Sequence, residues 1–168
     1  VSLSAASSFP ISVNYETTNT GSATAGTDYT TTSGTLNFPA LNTSQTFTVG
    51  ITPDLLDEAD ETVGLRLLNA ISATLGTTNN PAILTILDDD NPPDVDFSNA
   101  PYSVSESAGT ATITVTLSTQ SGKPITVTYA TADGSATIAD NDYVSASGDL
   151  FFAPGTTQKN VHRHHLQR

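Results

Sequence analysis

Apolar residues recur along this chain at every second position in short runs, and that spacing constrains the fold more than any other feature. Ile11, Val13 and Tyr15 alternate with polar residues, as do Phe47, Val49 and Ile51, and then Val63, Leu65 and Leu67. Ala111, Ile113, Val115 and Leu117 follow the same rule, and Ile125, Val127 and Tyr129 continue it. Successive side chains of an extended strand point to opposite faces, so each run buries one face and wets the other. Gly, Asn, Asp or Pro bounds every run, which closes the strands with turns. Thr-rich polar positions suit exposed strand faces. The pattern predicts antiparallel strands throughout and no long helix.

The chain also repeats itself. "GSATAGTDY" ends at Tyr29 and "GSATIADNDY" at Tyr143; Asp28 matches Asp142, Gly34 matches Gly148, Leu36 matches Leu150 and Phe38 matches Phe152. The four matches share one offset, with a single-residue slip inside the turn, which marks tandem modules. Residues 1–91 read as a first module lacking its opening strand, behind a loose "VSLSAASS" lead. Pro92 and Pro93 read as a stiff linker. Residues 94–161 read as the N-terminal part of a second module. The tail 162–168, "HRHHLQR", holds all three histidines and breaks the alternation, so it reads as an out-of-frame or chimeric end without regular packing. With no Met and no signal peptide, the chain reads as starting inside a longer reading frame.

Charge narrows the partners. The chain carries 17 acidic against 5 basic residues, a formal net charge of -12. Nucleic acid demands clustered Lys and Arg, so it is excluded as a partner, and anionic lipid is disfavoured. Cations are the natural counterparts of such a surface. Cysteine is absent, which removes disulfides and thiolate metal sites and suits a secreted bacterial protein. No His lies outside the tail, so a hydrolytic triad has no base. No Trp offers a sugar-stacking platform, and the chain reads as a non-enzyme.

Acidic residues are grouped. "DLLDEADE", residues 54–61, carries five carboxylates in eight positions, and "TILDDDN" ends an apolar run with Asp88, Asp89 and Asp90. One reading is a solvated loop whose charge discourages edge pairing. The other is a cation site at one pole of a sandwich, where the loop and the triplet converge; gathered carboxylates require a cation to be tolerated. All-oxygen, flexible ligands favour Ca²⁺ over Mg²⁺, and zinc lacks its usual ligands here. The candidates from the residues alone are Asp54, Glu58, Glu61, Asp88, Asp89 and Asp90. Gly21 and Gly134 read as turn residues supplying backbone freedom.

Four stretches resemble the Calx-beta domain: "YSVSESAGTATITVTLS", "VTYATADGSATIADNDYVSASGDLFFAPGTTQKNV", "FTVGITPDLLDEADETVGLRLLNA" and "AILTILDDDN". The resemblance implies a seven-stranded immunoglobulin-like β-sandwich, here one nearly complete and one partial. The family includes calcium-sensing domains of sodium–calcium exchangers and tandem repeats of adhesion and matrix proteins. By resemblance, Glu106 of the opening strand and the Asp of each "DY" pair, Asp28 and Asp142, join the ligand set. Where calcium-sensing members open the loop with consecutive Asp residues, this chain has Pro53, Asp54 and Leu55, so one expected ligand is missing. The expectation is a Ca²⁺-binding repeat of a secreted or cell-surface protein, stiffened by calcium for adhesion or matrix assembly. Its partners would be calcium ions, neighbouring repeats and a cell-surface or matrix protein or glycan. The alternative is a metal-independent spacer with an acidic surface.

Overall fold

The computed structural model describes residues 1–164, and every described element longer than three residues is a strand. The chain divides into two compact units, one of residues Val1–Leu55 and Asp60–Asp88, the other of Leu56–Ala59 and Asp89–Arg168.

In the first unit, β1 (Ile11–Thr18), β3 (Ser33–Phe38), β5 (Glu61–Ile71) and β6 (Ala82–Ile86) form one antiparallel sheet in the order β3-β1-β5-β6. Two short strands, β2 (Tyr29–Thr30) and β4 (Gly50–Ile51), pair separately. Alternation works as expected: Ile11 and Val13 of β1 meet Leu36 and Phe38 of β3 in one core cluster, with Leu3 and Phe47 packed against it. Tyr15 stacks on Phe47 with ring centroids 4.2 Å apart. A second cluster joins Ala23, Tyr29 and Val63, covered by Val49, Leu65 and Leu84. Two layers with their apolar faces turned inward make a sandwich.

The lead is not loose. Val1 and Gln45 exchange backbone hydrogen bonds, at 2.9 and 3.0 Å, Leu3 N–H donates to Thr43, and Ser2 bridges Ser44. By contrast, the run expected as a strand through Phe47, Val49 and Ile51 is paired only at its end, in β4; residues 46–49 carry no strand pairing.

In the second unit, β7 (Val95–Phe97), β8 (Thr110–Leu117) and β11 (Gln158–His164) form a sheet in the order β11-β8-β7, and β9 (Ile125–Ala130) pairs β10 (Ser147–Phe152). Val115 and Leu117 of β8 pack on Phe152, with Ile125, Val127 and Leu150 around them. Apart from Val115, whose counterpart Val1 is exposed, these positions are the first unit's core shifted by the repeat offset. A 3-10 turn, Glu106–Ala108, precedes β8.

The tail corrects the sequence reading. β11 runs on through His162, Arg163 and His164, which pair with Thr112, Ala111 and Thr110. A strand ladder joins backbone groups and accepts almost any side chain, so the open edge of β8 keeps the chain paired after the apolar alternation has ended. The remaining tail residues, 165–168, lie outside the described residues.

Candidate metal centre

Pairing of β5 with β6 decides where the acidic segments end up. Glu61 opens β5 and sits opposite Ile86, the last residue of β6. Antiparallel register then places the residues before Glu61 beside those after Ile86, and Asp88 N–H donates to Asp60 Oδ1 at 3.1 Å. The end of the acidic loop and the start of the triplet are therefore neighbours by backbone geometry.

Asp28 arrives by a different route. Its carbonyl accepts from Thr52 N–H at 2.9 Å, which fixes it where β2 meets the strand entering the acidic loop. Its Oδ2 accepts from Thr24 N–H at 2.6 Å. Partial burial opposes its charge, but the Thr24 amide, the Glu61 side chain and Thr27 outweigh that, leaving its pKa below the usual aspartate value. Carboxylate oxygens of Asp28 and Glu61 lie within 4.8 Å of one another, each residue half-buried; Glu58, also half-buried, lies in the Leu56–Ala59 stretch of the second unit. That spacing matches oxygens sharing one hard cation, which takes carboxylates at about 2.3–2.6 Å each. Anionic groups this close repel strongly unless a cation or protons intervene.

The other predicted ligands are placed as follows. Asp54 is exposed in the segment before Leu56. Asp88 is held at Asp60. Asp89 and Asp90 open the Asp89–Arg168 stretch of the second unit. Glu106 is exposed in its 3-10 turn. Asp142 Oδ2 accepts from Thr137 N–H at 3.0 Å, the same turn-closing bond that Asp28 makes with Thr24. Both "DY" aspartates thus brace their own turn, a common Asx role, and in the first unit the same side chain also lies close to Glu61.

Two loop residues outside the candidate set carry structure. Asp60 orders Asp88. Asp57, only 4 % exposed, accepts from Ser121 Oγ at 2.8 Å and Lys123 Nζ at 2.5 Å, while its carbonyl accepts from Gly122 N–H at 2.9 Å. Leu56–Ala59 accordingly belong to the second unit, although the sequence assigns the whole loop to the first module. A buried carboxylate is tolerable only when paired and hydrogen-bonded, so Asp57 acts as an anchor for the loop. Nothing in the spacing of "DLLDEADE" distinguishes this anchor from the exposed acids around it.

The sequence model of the Calx-beta domain matches residues 2–90 and again 88–163. Human sodium/calcium exchanger 2 is 32 % identical over 164 residues, covering 89 % of this chain. The Drosophila melanogaster exchanger Calx is 32 % identical over 150 residues, again covering 89 %. The chain spans only 18 % and 16 % of these exchangers. Among solved structures, calcium binding domain CBD12 of CALX1.1 is similar, with a TM-score of 0.48 at 30 % identity over 92 % of this chain and 62 % of that one. The apo form of the Calx CBD1 domain gives 0.46 at 37 % identity over 49 % of this chain and 73 % of that one. These relatives overturn the expectation of a secreted or cell-surface bacterial protein: they are sodium/calcium exchangers of rat, mouse, human and fly. Absence of cysteine misled there, because composition records no address. With two adjacent matches that together span residues 2–163, this chain belongs to the Calx-beta domain family.

Proposed function

We propose that this chain is a Ca²⁺-binding tandem module whose first repeat takes the ion through Asp28 and Glu61. The observation that carries this reading is the close approach of those two carboxylates on a chain of net charge -12. The donor set is all oxygen and comes from two loops, which suits the large, irregular shell of Ca²⁺ better than the strict octahedron of Mg²⁺. Membership of the Calx-beta family supports the same ion. The ion would neutralise the cluster and order the loop that leads into Glu61, so that calcium concentration is read as loop order. The relatives are exchangers, which favours sensing for an attached transport activity; an adhesion or matrix role finds no counterpart among them.

The test is thermal melting in EDTA and in millimolar Ca²⁺. Binding to the folded state alone stabilises it by about 2.7 kcal/mol at a hundredfold excess over Kd, so the melting temperature should rise with calcium. Asp28→Asn with Glu61→Gln should abolish that rise while the metal-free protein stays folded. A melting temperature unmoved by calcium would favour the metal-independent spacer.

A further inference from the structure

Equivalent turns in the two units are built alike down to single hydrogen bonds. In the second unit, Gly155 N–H donates to the Ser121 carbonyl at 2.9 Å, Thr156 N–H to the Ala153 carbonyl at 2.9 Å, and Lys123 N–H to Ser121 Oγ at 3.0 Å. Subtracting the repeat offset turns these bonds into Leu41 to Ser7, Asn42 to Pro39, and Phe9 to Ser7 Oγ. The first unit makes all of them, at 2.8, 3.0 and 3.1 Å. Residues 7–9 and 39–42 therefore form the same seat as residues 121–123 and 153–156.

In the second unit the seat is filled by the stretch Leu56–Ala59 of that unit. Asp57 bridges Ser121 in parallel register, its carbonyl accepts from Gly122 N–H, and its carboxylate meets Ser121 Oγ and Lys123 Nζ. Glu58 lies flat on Gly122, where a Cβ would come within 2.7 Å of the Glu58 Cγ. Under this cover Ser121 is 2 % exposed, whereas its counterpart Ser7 is only half-buried.

Three differences set the chemistry of the first unit's seat. Phe9 stands in place of Lys123, Ser8 in place of Gly122 and Leu41 in place of Gly155. Phe9 and Leu41 are each 71 % exposed. Leu41 also keeps the left-handed backbone of the glycine it replaces, with φ of 71° against 76°. That conformation strains a leucine, its exposed side chain recovers nothing by burial within the unit, and such strain gathers at binding sites.

We propose that this seat binds a loop of another β-sandwich module, laid down as Leu56–Ala59 lie on the second unit. The loop carries a large apolar residue in place of Asp57 and a small one in place of Glu58. An aspartate set beside Phe9 would be buried without a cation, which is strongly disfavoured. An apolar side chain between Phe9 and Leu41 instead removes apolar surface from water on both partners. The Ser8 Cβ takes up the space that Glu58 uses over Gly122, so a long side chain is shut out there. Ser8 N–H takes the part of Gly122 N–H toward the loop carbonyl. Neither Asp28 nor Glu61 belongs to the seat, so this inference stands apart from the calcium reading.

The experiment titrates the full, isotope-labelled chain in EDTA with two peptides and follows backbone amide shifts by NMR. One peptide is the sequence of residues 54–61 carrying Asp57→Leu and Glu58→Ala; the other is that sequence unmodified. The apolar peptide should shift the amides of Ser8, Phe9 and Leu41 saturably at millimolar concentration, and the unmodified one should leave them in place. The triple variant Ser8→Gly, Phe9→Lys and Leu41→Gly rebuilds the second unit's seat from exposed positions. It should reverse the preference, binding the apolar peptide about tenfold or more weakly. No shift at those amides, equal shifts with both peptides, or the same preference in the triple variant would overturn the proposal. Shifts of the same amides with chain concentration alone would assign the seat to a second copy and overturn it equally.

Discussion

Asp28 does two jobs with one carboxylate. Its bond to the Thr24 amide closes the turn before β2, and it also lies within 4.8 Å of the Glu61 carboxylate. The first job was legible only as a motif, since "DY" recurs at Asp142 with an equivalent turn bond; the second needed β2 to be brought beside the acidic loop. The hydrogen bonds that lower its pKa outweigh its burial, and this makes a pH prediction. A group whose folded pKa lies below its unfolded value contributes stability above the unfolded value, near pH 4 for Asp, and loses it as pH falls through the folded value. In EDTA, the melting temperature of the native chain should therefore fall on acidification below about pH 4. Asp28→Asn should show a shallower acid limb, because it removes the titrating group. An identical acid limb in both proteins would show that Asp28 does not contribute to it.

Strands explain why equivalent glycines in the two repeats have different tolerances. Gly21 and Gly134 occupy the same turn, and neither has the left-handed backbone that would demand glycine. Gly21, however, lies flat on β5: a Cβ there would come within 1.8 Å of the Thr62 carbonyl oxygen, and Ala23 N–H donates to that oxygen at 3.0 Å. A Cβ at Gly134 would meet nothing within 4 Å. The second unit has no strand beside β9 corresponding to β5 among the described residues, so the turn there stands clear. Gly21→Ala should destabilise the first unit by more than about 2 kcal/mol, since backbone must move to make room. Gly134→Ala should be neutral within about 0.5 kcal/mol. Urea unfolding of the two variants, read separately for each unit, checks the contrast. Sequence similarity treats the two glycines alike; only the neighbouring strand separates them.

At the scale of the whole molecule, a net charge of -12 means that folding gathers like charge. Screening should relieve part of that cost: in EDTA, the melting temperature should rise between about 0.01 and 0.2 M NaCl, where the Debye length shrinks from about 30 Å to below 10 Å. With calcium bound the same titration should move it less, because the densest cluster is already neutralised. A larger salt effect in calcium than in EDTA would argue against neutralisation at that cluster. The sequence by itself determined the strand class, the tandem repeat, the core alternation and the grouping of acids, because side-chain period and turn chemistry are local properties of a chain. It could not say which acids meet. Asp28 reaches Glu61 because β2 pairs with β4, and Asp88 reaches Asp60 because β6 pairs with β5 in one register. It also could not single out Asp57 as the buried anchor, nor carry β11 past Val161 into the histidines. Those outcomes depend on non-local strand pairing, where backbone edges far apart in the chain select their partners and the side chains are carried to wherever the ladder puts them.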